Sequence, residues 1–282
     1  MRINSSRLFQ VFKYTVYGLL AFNIFIFWSE EILAATVQFP AGVAIADIID
    51  AYTATIDTAA WVVLLLMFEF ETFILDDRYF TTAVNRILLA IRVPCYAFIV
   101  YAFYGYVVNL LFISEATQLI GVSDLCALAT NGWSYAIDLD EYVGITVANC
   151  GLFSDAGAFM RFEGMPAAVD ANGLAAIKNL AWVDVINAAI WVLVVLILES
   201  DVWLQERNRL EGTTLRVSKL IKFILYTTLL LAAIYWGIKG DFIDFWDAFL
   251  WLVAFVFIEL NVFEWRKEVN ESVAQSQIIR TS

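Results

Sequence analysis

The sequence contains no histidine. That removes histidine-ligated haem and zinc, histidine-based catalytic triads and the usual proton shuttle near neutral pH. Cysteine is nearly as scarce, and Cys95, Cys126 and Cys150 are too scattered for an iron–sulfur or zinc cluster. No glycine-rich phosphate loop appears. Charge is also thin. Only 16% of the 282 residues are charged while 62% are hydrophobic, far too apolar a balance for an ordinary soluble domain. These absences point away from catalysis, and neither an enzyme activity nor a cofactor is expected.

What the chain has instead is long apolar runs. Six segments, roughly 14–35, 57–76, 87–113, 182–203, 217–238 and 244–265, can each cross ~30 Å of hydrocarbon at 1.5 Å per helical residue. The runs are continuous rather than alternating, so the expected class is an all-α integral membrane protein with six transmembrane helices. The N-terminus imitates a signal peptide, but Glu30 and Glu31 sit poorly in a cleavage region, and the segment is expected to stay.

Basic residues cluster at Arg2, Arg7 and Lys13, at Arg78, Arg86 and Arg92, from Arg207 to Lys222, and at Arg266, Lys267 and Arg280. By the positive-inside rule these ends and both termini are expected in the cytoplasm. The connections there are short and leave no room for a catalytic domain. The other connections hold sixteen of the 29 carboxylates and, among bases, only Arg161, Lys178 and Lys239. Residues 114–181 are therefore expected on the periplasmic or extracellular side, and a bacterial inner membrane fits.

The odd-numbered spans open alike, with RLFQVFKYTVY at 7–17, RILLAIRVPCY at 86–96 and RVSKLIKFILY at 216–226. Each fits R-x5-K/R-x3-Y. The even-numbered spans close alike: Asp57, Trp61, Glu69, Glu71 and Phe73 match Asn187, Trp191, Glu199, Asp201 and Trp203, and then Asp247, Trp251, Glu259, Asn261 and Phe263. The chain thus reads as three tandem two-helix hairpins: 1–78, then 79–113 with 182–209, then 210–282 with its tail. The insertion 114–181 interrupts the second. Three such hairpins could close around a pseudo-threefold axis.

Glu69 lies seven residues from Asp76, ~10 Å deep, and Arg92 lies six residues from Arg86, ~9 Å deep. Glu69, Glu199 and Glu259 therefore reach the depth of Lys13, Arg92 and Lys222, forming a candidate intramembrane charge collar. Tyr17, Tyr96 and Tyr226, one turn beyond each base, can add hydrogen bonds. A lone charge in a span costs ~2.5–3.5 kcal/mol, so pairing of these acids and bases is expected, Glu199 with Arg92 in the second hairpin.

Within the insertion, Cys126 and Cys150 are expected to form a disulfide. SYAIDLDEYVGITV suggests a short hairpin, and DANGLAAIKN a surface helix after Asp170. Asp138, Asp140 and Glu141 lack an EF-hand pattern and read as a solvated turn. The leading expectation is an assembly or accessory subunit of a membrane complex. Its partners are the lipid bilayer and a membrane protein or further copies of itself, with no nucleic acid. The alternative is a cation or proton channel or carrier using Glu69, Glu199 and Glu259. The alternative is weakened because 62–68, 192–198 and 252–258 carry no polar side chain, leaving a route only past Asn23, Tyr101, Tyr104, Thr227 and Thr228.

Overall fold

The computed structural model describes residues 5–71, 81–138, 140–154, 157–207, 209–210 and 212–257. It is mostly helical. The helices are α1 (Ser5–Gln38), α2 (Ile48–Ala51), α3 (Thr53–Glu69), α4 (Thr82–Ser114), α5 (Ala171–Glu206), α6 (Gly212–Lys239) and α7 (242–257). Four of them, α1, α4, α5 and α6, are long and apolar enough to cross a membrane by themselves. A fifth span is reached if α3 is joined to the short helical segment before it, from which it bends by 76°. The described part of α7 begins at 242, two residues before the sixth expected span, and runs to 257, where the described residues end.

The helix starts follow from local chemistry. Thr81 opens α4, its hydroxyl accepting the Val84 N–H at 3.3 Å. Tyr52, the residue preceding α3, offers no side-chain cap. Glu31 of α1 supplies one instead: its carboxylate accepts the N–H groups of Ala54 at 2.7 Å and Thr55 at 3.1 Å. A carboxylate at a helix N-terminus satisfies donors that the helix leaves unpaired and complements the dipole. Glu31 is buried, so it is a structural residue and not part of a solvated acidic face.

The described residues of 1–21 and 229–257 form one compact unit, and those of 22–228 another. In the first, Phe9 and Phe12 of α1 meet Phe257 of α7 edge-on at 5.2 and 5.5 Å between ring centres. Gly237 of α6 lets the Phe245 ring approach, since a Cβ there would lie 3.3 Å from it.

In the second unit α3 packs on α4, and α4 on α5. Burial falls at matching places along the expected repeats: Leu20, Ile99 and Leu229, then Asn23, Ala102 and Ala232, and on the even spans Trp61, Trp191 and Trp251.

The segment between α4 and α5 folds into a five-stranded sheet, β1 (Thr117–Gln118), β2 (Ser134–Ala136), β3 (Tyr142–Gly144), β4 (Phe159–Arg161) and β5 (Ala167–Asp170), in the order β1-β4-β5-β2-β3. The expected hairpin is β2 against β3, with Tyr135 opposite Val143. Its turn holds Asp138, Asp140 and Glu141, closed by the Ile137 N–H on the Glu141 carbonyl at 2.9 Å. The β2–β5 pair is parallel and the rest antiparallel. Cys126 and Cys150 are joined as expected, tying together the two 3-10 turns Leu125–Leu128 and Cys150–Leu152.

The helix expected after Asp170 begins there, but it is not a separate surface helix. It is the first part of α5, and Leu174, Ile177 and Ala181 enter the sheet's core beside Phe159 and Val169. Asp170 caps it through the Asn172 and Gly173 N–H groups at 2.7 and 2.8 Å and also accepts the Tyr135 hydroxyl at 2.8 Å. Burial works to raise the Asp170 carboxyl, but these three donors outweigh it and hold the group below its ordinary range. The span and the insertion therefore share one helix.

Candidate functional site

Besides Glu31 at the start of α3, side-chain contacts join helices at the end of α3 and along α4, α5 and α6. Arg92 of α4 reaches Glu71, just past α3, with one guanidinium nitrogen 2.7 Å from one carboxylate oxygen and 2.8 Å from the other. Lys222 of α6 lies 3.2 Å from Asp201 of α5, and the Ser218 hydroxyl donates to the same oxygen at 2.7 Å. Tyr96 of α4 donates its hydroxyl to Glu199 of α5 at 2.9 Å. The expected tyrosine–carboxylate contact is therefore present in the second hairpin.

The expected pairing of Arg92 with Glu199 is corrected by these contacts, because Arg92 is engaged by Glu71. Helical geometry explains the exchange. Residues two apart on a helix point ~200° apart, so Glu199 and Asp201 face opposite flanks of α5. Glu199 turns toward α4, and Asp201 toward α6. Glu71 occupies the same pattern position as Asp201 and likewise meets a base of the helix that follows it, α4. These two ion pairs use the second acid of the closing motif, whereas depth alone singles out the first. The missed residues were visible in the Glu-x-Glu/Asp spacing, and the signal that finds them is direction around the helix.

The other collar residues divide between the two units. Lys13 and Tyr17 in one, and Glu69 in the other, are buried, and each has contacts of its own. Tyr226 is partly buried and engaged. Glu259, Asn261, Phe263 and Phe73 lie outside the described residues. Trp61 and Trp191, at matching positions of the expected repeat, approach each other at 5.7 Å between ring centres.

The polar residues left for a transport route are placed differently. Asn23 is buried, but Tyr101 and Tyr104 are exposed and pack on each other at 5.8 Å. Thr227 and Thr228 donate back to the Phe223 and Ile224 carbonyls of their own helix, at 2.7 and 3.0 Å. Among the contacts described above, Glu71 and Asp201 are matched by bases, and Glu199 accepts from a phenol. No family model, curated protein or solved structure matches the chain.

Proposed function

We propose that this chain is a non-catalytic, six-span membrane protein that serves as an assembly or accessory component of a membrane complex. In this reading its three hairpins arose by duplication. Both termini lie in the cytoplasm of a bacterial cell and the sheet subdomain lies across the inner membrane. Repetition is supported by burial at equivalent positions and by the Arg92–Glu71 and Lys222–Asp201 pairs, which join equivalent residues of successive hairpins.

The observation that carries the functional reading is that both described second acids, Glu71 and Asp201, are already matched by bases. A carboxylate locked to a base in low dielectric fixes helix register, and releasing it costs ~3–5 kcal/mol when the pair is buried. Such groups suit a scaffold better than a site through which cations must enter and leave.

Purified protein in liposomes is expected to pass neither protons nor alkali cations, while tagged protein extracted in mild detergent retains a stoichiometric membrane partner. Flux abolished by Glu69→Gln or Glu199→Gln would replace this reading with a channel or carrier. The topology has its own test. Ile45 and Ile120 are both 90% exposed, so cysteines placed there are expected to react with an impermeant thiol reagent from outside the cell, and cysteines at Thr82 and Gly212 to stay protected. The reverse pattern inverts the protein.

A further inference from the structure

Glu199 differs from its counterpart in the first hairpin. Glu69 is 3% exposed, whereas Glu199 is on the surface of α5. Among the described residues its one contact is the Tyr96 hydroxyl, with no basic side chain. The nearby Arg92 is held by Glu71 in a pair that cancels its charge. The cluster of Arg92, Glu71, Tyr96 and Glu199 therefore carries one net negative charge, and Glu199 holds it at the surface.

The surroundings give its depth. Trp182, Ile186, Leu193, Leu196 and Trp203 are exposed along one side of α5. The two tryptophans are separated by ~32 Å of helix, close to the ~30 Å of a hydrocarbon core whose edges such residues mark. Arg207 lies 3.8 Å over the Trp203 ring, as expected where a span meets headgroups. Glu199 is four residues nearer the centre, ~6 Å inside that edge. An anion there, on an apolar face, is stabilised by a base at the same depth, and a lipid amine resides further out.

Resting on the accessory-component reading, we infer that the exposed side of α5 is a docking surface for a partner's transmembrane helix carrying a lysine or arginine level with Glu199. Apolar packing along the stripe supplies area, and the single charge sets partner and register. Tyr96 orients the carboxylate while leaving its second oxygen to the incoming base.

The test uses full-length protein, donor-labelled, in phosphatidylcholine vesicles with acceptor-labelled synthetic spans of Leu and Ala. One peptide carries a lysine ~6 Å inside its terminal tryptophan, and the control carries leucine there. Energy transfer is expected to show the lysine peptide binding about five- to tenfold more tightly, the range of one intramembrane polar contact. Glu199→Gln should erase the preference and Glu199→Asp keep most of it. Equal binding of both peptides to the wild-type protein overturns the inference, with no variant needed. So does a preference that survives Glu199→Gln. Glu199-dependent energy transfer between copies of the protein itself would assign the surface to a second copy and overturn the partner named here. Ion flux by the protein alone would end the accessory reading, while the peptide preference still decides the docking surface.

Discussion

The sheet subdomain and the helices beneath it solve the same problem by different means. In the subdomain Phe159, Leu125, Val169 and Ile177 are fully buried, hydrogen bonds and caps each add a small amount, and a disulfide constrains the unfolded chain. Water is the alternative for every group there, so apolar burial drives folding and polar contacts contribute modestly. Among the membrane-compatible helices that drive is missing, since lipid tails are as apolar as leucine. Register then depends on packing and on a few polar pairs whose loss leaves a charge in low dielectric. The helices should be sensitive at a few positions, the subdomain more evenly.

The largest effect is expected at Asp201. Its oxygen serves both Lys222 and Ser218, and the pair's side chains are only 15% and 6% exposed. Asp201→Asn should destabilise the protein in detergent by about 3–5 kcal/mol in reversible SDS titration, because the largely buried Lys222 then loses the carboxylate of its ion pair. Lys222→Met in the same chain should recover much of the loss. A cost below about 1 kcal/mol would show that polar pairs among the helices are as dispensable as surface ones.

Next is the disulfide. Cys126 and Cys150 are 24 residues apart, and opening a loop of that size is worth about 3 kcal/mol in the chain-entropy account. Replacing both by Ser should lower the subdomain's resistance to protease while leaving the Lys222–Asp201 junction intact. If both regions melted together, the contrast between them would fail.

Much of this was legible because membrane helices obey few rules. Continuous apolar runs located α1, α4, α5 and α6, the hairpin of the insertion followed from alternation, and its disulfide from two cysteines lying together in a segment expected outside the cytoplasm. The pairing inside the collar was not legible from depth. Depth places Glu199 level with Arg92, but only angle shows that Glu199 and Asp201 face opposite flanks of α5. Glu31 was hidden for another reason: its role comes from the 76° bend before α3, a tertiary feature with no local signature. The continuity of α5 through residues 171–181 was obscured because its polar first turns resemble a surface helix until their apolar residues meet the sheet.

A third prediction compares the two ion pairs. Arg92 and Glu71 sit at the same repeat positions as Lys222 and Asp201, yet their side chains are 33% and 21% exposed. Partial solvent access lowers both the desolvation cost and the Coulombic gain. Glu71→Gln should therefore cost about 1–2 kcal/mol, less than Asp201→Asn. In double-mutant cycles Arg92 should couple to Glu71 and show near-zero coupling to Glu199. Stronger coupling to Glu199 would restore the pairing expected from depth.

The smallest effect lies at the seam where the sheet subdomain continues into α5. Asp170 is held ionised by the Gly173 and Asn172 N–H groups and by the Tyr135 hydroxyl. The Tyr135 phenol, pushed up to about 12 by burial and then by Asp170, remains a donor throughout the working range. Asp170→Ala removes a helix cap and should cost about 1 kcal/mol at neutral pH. The sign of the pH dependence follows from the lowered folded-state pKa. The unfolded carboxyl takes up a proton first, near pH 4, so the contribution of Asp170 is complete above that value and fades as pH falls through the folded pKa. The gap between wild-type and variant subdomain stability should thus be constant from pH 7 to 5 and shrink below pH 4, followed by protease resistance of the disulfide-bonded segment. A gap that persisted in acid would mean that the seam is held by packing of Leu174 and Ile177 alone.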